Sequence, residues 1–175
     1  MNIYLIGFMG VGKSTVAKML SDKLDFELID TDIEIEKREN RSINEIFSQE
    51  GEEYFREKEK ELIEELSKKD NMIISCGGGI IKSDVSIANM KKSGSVVLLE
   101  ASPEIIYNRV KDDNNRPLLV SNPGIEGIKK LMEEREESYN KAFTHKVDAS
   151  KTPVQVVNDI ITATLTLGDE FGNIN

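Results

Sequence analysis

The feature that most constrains this chain of 175 residues is a glycine-rich segment at residues 7–14, which reads GFMGVGKS. It follows a short apolar run at residues 3–6 and precedes apolar residues at helical spacing. The pattern GxxxxGK followed by Ser or Thr, placed between a strand and a helix, predicts a loop whose backbone N–H groups surround a phosphate. Lys13 would reach the β and γ phosphates, and the Ser14 hydroxyl would bind the accompanying magnesium ion. The alternative is a glycine-rich turn that carries a surface lysine.

Composition limits the partners of the chain and its compartment. The length fits a single domain, and the net charge of −9 argues against nucleic acid as a partner. The cations that an anionic nucleotide requires must therefore be concentrated at the site. No apolar run is long enough to cross a bilayer, and the chain begins in the first strand without a basic leader. We therefore expect a cytoplasmic monomer with no membrane partner.

The chain contains one cysteine and one histidine, which limits the chemistry available. Cys76 cannot form an internal disulfide, which agrees with a reducing compartment, and it is interpreted as a packing residue. His145 is interpreted as a surface or strand-edge residue, since a single histidine cannot form a multi-histidine metal site.

Two carboxylates follow the second predicted strand, at residues 26–30. Asp30 and Asp32 lie at the carboxyl end of that strand, the edge where open α/β sheets bind ligands. One could serve the metal and the other the acceptor substrate. The alternative is an Asx turn that caps a helix starting at Ile33.

Two further segments offer polar contacts. A helix predicted from Glu52 to about Lys69 carries Arg56 between two glutamates, an arrangement that fits an exposed ion-pair ladder as well as a functional arginine. After a third predicted strand, three glycines at residues 77–79 would expose backbone donors to a small polar ligand. A merely flexible turn is the alternative for the glycines.

The second half of the chain supplies two more arginines. A polar segment between Lys111 and Gly124 is predicted to be a flap, from which Arg116 could contact a γ-phosphate or remain solvated. Arg135 falls on the apolar face of the next predicted helix, between Leu131 and Tyr139. An inward guanidinium needs an anionic partner, and we favour a ligand over a structural carboxylate.

Five predicted strands alternate with helices, which indicates an α/β fold with a parallel sheet covered on both faces. The strands are expected at residues 3–6, 26–30, 71–75, 95–99 and 145–149. Capping boxes at residues 42–45 and 152–155 mark two helix starts.

In this order and spacing, the motifs resemble the shikimate kinase family over residues 2–163. The motifs are GFMGVGKST at 7–15, DTD at 30–32, Phe55-Arg56-x-x-Glu59, GGG at 77–79, RPLL at 116–119, and Arg135 followed by Tyr139. The resemblance implies a P-loop NTPase-type three-layer sandwich, related to nucleoside monophosphate kinases, with strand order 2-3-1-4-5. It also implies one kinase domain at residues 1–166, with a shikimate-binding region at about 32–62, a lid at about 110–124 and a flexible tail at 167–175.

The resemblance implies transfer of the γ-phosphoryl group of ATP to the 3-hydroxyl of shikimate in aromatic amino-acid biosynthesis, with Mg²⁺ as cofactor. Asp32 would receive or orient the attacking hydroxyl, and Lys13 and Arg116 would assist catalysis. The implied ATP-binding residues are Gly10, Val11, Gly12, Lys13, Ser14, Thr15, Arg109, Arg116, Lys151 and Pro153, with Arg109 stacked near the adenine. The implied shikimate-binding residues are Asp32, Arg56, Gly77, Gly78, Gly79 and Arg135, and the implied metal site comprises Ser14 and Asp30.

Two other functions fit parts of the pattern. The first is another small-molecule kinase of this fold, acting on gluconate or a nucleoside monophosphate. The short flap with one internal arginine disfavours the nucleotide kinases. The second is a nucleotide-dependent binding module without turnover.

Overall fold

The computed structural model describes residues 1–112, 121 and 123–165, and its strands form one five-stranded parallel sheet. The strands are β1 (Asn2–Gly7), β2 (Glu27–Asp30), β3 (Met72–Ser75), β4 (Gly94–Glu100) and β5 (His145–Asp148). Their spatial order, β2-β3-β1-β4-β5, confirms the predicted order and the parallel pairing.

The helices lie between the strands, as the alternating pattern predicts. They are α1 (Lys13–Leu24), α2 (Thr31–Glu39), α3 (Ile43–Glu50), α4 (Glu52–Leu66), α5 (Asp84–Ser93), α6 (Pro103–Val110), α7 (Gly124–Ala142) and α8 (Pro153–Leu165), with a short 3₁₀ helix at Ile80–Lys82. Both predicted capping boxes are present, at the starts of α3 and α8. Helix α5 was not predicted, and its N-cap, Ser83, is the local signal that could have revealed it.

The sheet separates two apolar layers, because side chains alternate along each strand. Along β1, Tyr4 and Ile6 pack with the layer formed mainly by α4 and α5. Ile3 and Leu5 point to the opposite layer, formed by α1 and α8. All six residues of β1 are buried, so the segment that follows it starts from a rigid support.

A third, smaller apolar cluster attaches the last turn of α6 and the start of α7 to the segment after β1. It contains Phe8, Ile106, Val110, Ile128 and Leu131. No described helix is long and apolar enough to span a bilayer.

The parallel topology brings three loops to one edge of the sheet, at the carboxyl ends of β1, β2 and β3. A hydrogen bond of 2.8 Å from Gly77 N to Thr31 Oγ1 joins the last two of these loops. The glycine-rich loop, the paired aspartates and the three glycines predicted as site residues are therefore neighbours in space.

Candidate active site

The loop between β1 and α1 has the form of a phosphate site. Gly12 precedes α1 in the left-handed conformation (φ 105°, ψ 19°), which glycine adopts more readily than other residues. Among the described residues no side chain caps this helix, and its first turn holds no acidic residue. The N–H groups at the helix N-terminus are thus available to an anion. The Lys13 ammonium donates to the carbonyl oxygens of Gly7 (2.7 Å) and Phe8 (3.3 Å), which holds it over the loop.

The two aspartates after β2 have different environments. Asp30 caps α2, since its Oδ1 accepts hydrogen bonds from the N–H groups of Asp32 (3.1 Å) and Ile33 (3.3 Å). The capping alternative is therefore correct for Asp30, although the helix starts at Thr31 rather than Ile33. The cap leaves the other carboxylate oxygen of Asp30 for a further contact.

Burial, together with the neighbouring charge of Asp30, raises the pKa of the Asp32 carboxyl to about 6. The charges of Lys13 and Arg56 oppose this shift. Asp32 therefore lies close enough to both cations to interact with them electrostatically, and it can gain or lose a proton near neutral pH.

Arg56 is held by a buried partner and an exposed one. Its Nη1 lies 2.5 Å from Glu59 Oε2, while Nε and Nη2 lie 3.2 and 3.0 Å from Glu52 Oε1. Only 2% of Glu59 is exposed. Arg56 is therefore not a member of an exposed ion-pair ladder. Glu64, near the end of the same helix, and Lys68, just after it, form a pair of that exposed kind.

Glu59 is a further functional candidate, for which no separate role was predicted from the sequence. Burial raises the pKa of its carboxyl to about 7, although the hydrogen bond from Arg56 lowers it. Within the described part of the chain, its buried Oε1 has no hydrogen-bond partner. The sequence shows that a glutamate follows Arg56 by three residues, but it does not show that this glutamate is buried.

Each of the three glycines after β3 faces a different site residue. A methyl group at Gly77 would overlap the Asp32 carboxylate, and one at Gly79 would overlap the Arg56 guanidinium. A methyl group at Gly78 would lie 3.1 Å from Arg135 Nη1. The close approach of Asp32 and Arg56 therefore requires glycine at positions 77 and 79, which argues against the interpretation as a merely flexible turn.

We expect Gly79→Ala to raise the KM for the predicted acceptor by about tenfold or more with little change in the KM for the predicted nucleotide, because the new methyl group displaces Arg56. Gly78→Ala is the matched comparison. Its methyl group would lie 3.1 Å from Arg135 Nη1, a contact that a small shift of that side chain relieves, so a smaller rise is expected. Steady-state kinetics with each substrate varied in turn would measure both. Equal effects of the two substitutions would contradict the steric argument.

Arg135, on α7, points into the same region, as its place on the apolar face predicts. Its guanidinium carbon lies 5.6 Å from the centroid of the Phe8 ring, at cation–π distance. Among the described residues no carboxylate forms an ion pair with it, and burial raises the pKa of the nearby Tyr139 hydroxyl while its interaction with Arg135 lowers it. The arrangement agrees with an anionic ligand as the partner of Arg135.

Residues predicted for the adenine end lie at the ends of α6 and β5. Arg109 donates to the carbonyl oxygens of Val11 (2.9 Å) and Ala149 (3.0 Å). Lys151 pairs with Asp159 at 2.6 Å, and Pro153 is the first residue of α8. Arg116 lies outside the described residues, so its role in the lid stays a prediction.

Most of the predicted site residues line one cleft of about 700 Å³, but Val11, Lys151 and Pro153 are not part of its lining. The described cations in its lining are Lys13, Arg56, Lys82, Arg109 and Arg135, and the carboxylates are Asp30, Asp32 and Glu59. Cations thus outnumber carboxylates in the cleft of a protein whose net charge is −9. This distribution confirms the expectation that positive charge is concentrated at the site.

The cysteine and the histidine do not contribute ionisable groups to this arrangement. Cys76 is buried, and burial raises the pKa of its thiol above the usual range. His145 begins β5 at the edge of the sheet, where its Nδ1 lies 2.8 Å from Thr144 Oγ1. Both structural interpretations are confirmed.

The sheet order and the glycine-rich loop together define a P-loop kinase fold. The family model for shikimate kinase matches residues 9–165. The chain belongs to the shikimate kinase family, which confirms the resemblance drawn from the motifs.

Individual relatives agree with this assignment. A shikimate kinase of Persephonella marina is 43% identical over 160 residues, which cover 91% of this chain and 96% of that protein. The crystal structure of shikimate kinase from Aquifex aeolicus aligns with a TM-score of 0.82 at 42% identity, covering 99% of this chain and 100% of that one. A shikimate kinase from Acinetobacter baumannii in complex with shikimate aligns with a TM-score of 0.85 at 32% identity, covering 97% and 94%.

Proposed function

We propose that Asp32 accepts the proton of the shikimate 3-hydroxyl while that oxygen attacks the γ-phosphoryl group of ATP. The overall reaction is the one for which the family is named, the ATP-dependent phosphorylation of shikimate. The observation that carries the proposal is the setting of Asp32, which is partly buried between cations and has its pKa raised to about 6. A general base is most effective when its pKa lies near the working pH.

The donor half of the site is assigned to the loop after β1 and the start of α1. Backbone N–H groups of Gly10 and Gly12 would surround the phosphates, with Lys13, Ser14 and Thr15 at the helix N-terminus. Val11 belongs to the same loop, but its N–H already donates to Phe8 O at 3.2 Å. The absence of a capping side chain and of first-turn acids on this described helix supports the assignment. The positive charge of Lys13 would stabilise negative charge that develops on the transferred group.

The residues present fit a magnesium ion that arrives with ATP. Among the described residues no group of three His, Cys, Asp or Glu could hold a metal. This suits Mg²⁺, which keeps several waters and is bound by one or two protein oxygens plus substrate phosphates. Ser14 and Asp30 supply such oxygens. When bound, the ion would neutralise charge on the phosphates.

The acceptor half is assigned to side chains from three helices around the glycines. Arg56 and Arg135 would bind the shikimate carboxylate and ring hydroxyls, together with backbone groups at residues 77–79. The support is geometric, since a guanidinium lies against each of Gly78 and Gly79. Shikimate would supply the anionic partner that Arg135 lacks within the described part of the chain.

The remaining assignments concern the adenine end and the organisation of the chain. Arg109, Lys151 and Pro153 are proposed to border the adenine, and Arg116 to reach ATP from a lid at about residues 110–124. We also propose a single kinase domain at residues 1–166, a C-terminal tail at 167–175, a cytoplasmic location, and a monomer that binds neither nucleic acid nor membrane.

A coupled assay of ADP release tests the function. The purified protein is given ATP and Mg²⁺ with shikimate, gluconate, AMP or no acceptor. Turnover with shikimate alone is the expected result. Turnover with gluconate or AMP instead would favour another small-molecule kinase, and tight ATP binding without turnover would favour a binding module.

We expect Glu59→Gln to raise the KM for shikimate by about tenfold, with the KM for ATP unchanged, because Arg56 loses its buried charged partner. The matched control is Glu61→Gln, which removes an exposed carboxylate of the same helix that pairs with Lys58 at 2.8 Å. Kinetics of both variants at pH 8 would test this, since the Glu59 carboxyl is mostly ionised there. Equal behaviour of the two would contradict a positioning role for Glu59.

A further inference from the structure

The last turn of α6 is bonded to both walls of the proposed nucleotide site. From this turn, the Arg109 guanidinium donates through Nη1 to the carbonyl of Val11, within the phosphate loop. Through Nη2 it donates to the carbonyl of Ala149, directly after β5. These residues are 98 and 40 positions away along the chain, so one side chain connects three distant segments.

Apolar contacts fix the same turn against the phosphate loop. A methyl group at Gly10 would collide with Val110 Cγ1, which shows how closely the next residue of α6 approaches the loop. Ile106 and Val110 also pack in the cluster that contains Phe8. The loop after β5 has its own anchor, because Ala149 N donates to Glu100 O at 2.7 Å. Arg109 therefore bridges two segments that are each held in place.

We propose that Arg109 is a positioning residue that ties the phosphate loop to the loop after β5 and so keeps the two walls of the nucleotide site at their working distance. The inference rests on the proposed binding of ATP at this loop and goes beyond the contact with adenine. Arg109 is then important for phosphate binding even though its side chain need not contact the phosphates.

The chemistry of the side chain suits this role. A guanidinium offers several N–H donors in one plane and can serve two carbonyl groups at once, whereas a lysine ammonium is a compact point charge. A guanidinium donates its hydrogen bonds in its own plane, so these two bonds do not themselves occupy its faces. Stacking on adenine and bridging of the loops are therefore compatible, and an experiment must separate them.

Tripolyphosphate separates the two roles because it has phosphates and no base. Affinities for Mg²⁺-tripolyphosphate and for ATP would be measured by calorimetry on the wild type and on Arg109→Lys. Hydrogen exchange at residues 10–14 and 149–153 would be measured without nucleotide. If the bridge operates, Arg109→Lys weakens both ligands by roughly fivefold or more and accelerates exchange in both loops.

The charge-matched control is Arg41→Lys, the same change at an arginine that pairs with Glu39 and Glu50 outside the cleft lining and leaves the bridge intact. We expect it to leave exchange in both loops unchanged. Loss of ATP affinity in Arg109→Lys with unchanged tripolyphosphate affinity and unchanged exchange would overturn the proposal and confine Arg109 to the base. Failure of the wild type to bind either ligand would instead refute the proposed nucleotide site, and the exchange data would still test the bridge.

Discussion

Asp32→Asn is expected to lower kcat by about 10²- to 10⁴-fold while leaving ATP affinity nearly unchanged. An amide cannot accept the proton of the attacking hydroxyl, although it preserves the size of the side chain. The start of α2 should stay intact, because the capping oxygen belongs to Asp30 and not to Asp32. Single-turnover phosphoryl transfer and ATP titration would measure the two quantities.

The control for this substitution is Asp22→Asn, which removes an exposed carboxylate that pairs with Lys18 on α1. We expect that variant to retain wild-type kcat. Full activity of Asp32→Asn would remove Asp32 from the mechanism, whatever the behaviour of the control.

The raised pKa of Asp32 predicts the pH profile of the same reaction. The base is active when ionised, so kcat/KM should fall as the pH decreases through about 6. Because Glu59 has its pKa raised to about 7, the profile must also be recorded for Glu59→Gln. The group near pH 6 should persist in that variant and disappear, with most of the activity, in Asp32→Asn.

Arg135→Lys is expected to raise the KM for shikimate by about 10- to 100-fold, with the KM for ATP unchanged. Lysine keeps the positive charge but loses the planar fork that binds a carboxylate through two hydrogen bonds. Initial rates with shikimate varied at saturating ATP would measure the effect.

The matched control for Arg135→Lys is Arg38→Lys. Arg38 also makes a two-armed contact, with Glu65 at 2.7 and 3.0 Å, but it lies on α2 away from the cleft lining. Its replacement should leave both KM values unchanged. A shikimate KM in Arg135→Lys equal to that of the wild type would exclude Arg135 from the acceptor site.

The parts of the fold that depend on local pattern were predictable from the sequence. The strand, loop and helix at residues 2–24 follow from a motif whose meaning is local, and parallel pairing follows from the alternation of strands with helices. The order of the strands and most roles of site residues came from resemblance to a family. Helix α5 was missed, since a segment of ten residues with few apolar positions gives a weak periodic signal.

Features that depend on distant contacts could not be predicted. The spacing of charges along α4 is the same for Glu59 as for its exposed neighbours, and only packing against the rest of the protein buries it. The hydrogen bonds from Arg109 to backbone carbonyl groups could not be predicted from residue types or their spacing, because every residue supplies a carbonyl group. Likewise, the same sequence pattern fits Asp30 as a helix cap and as a metal ligand, and only the folded structure distinguishes these two roles.

The three glycines after β3 have a consequence for how the site is held together. Consecutive glycines leave a segment with many accessible conformations, and ordering it has a large entropic cost. Backbone hydrogen bonds offset part of that cost, since Gly77 N donates to Thr31 Oγ1 and the carbonyls of Gly77 and Gly79 accept from Ile80 N and Lys82 N. The side chains of Asp32, Arg135 and Arg56 surround the segment and restrict it further. The side chains proposed to bind shikimate thus also fix the conformation of the glycine backbone that is proposed to bind shikimate with them.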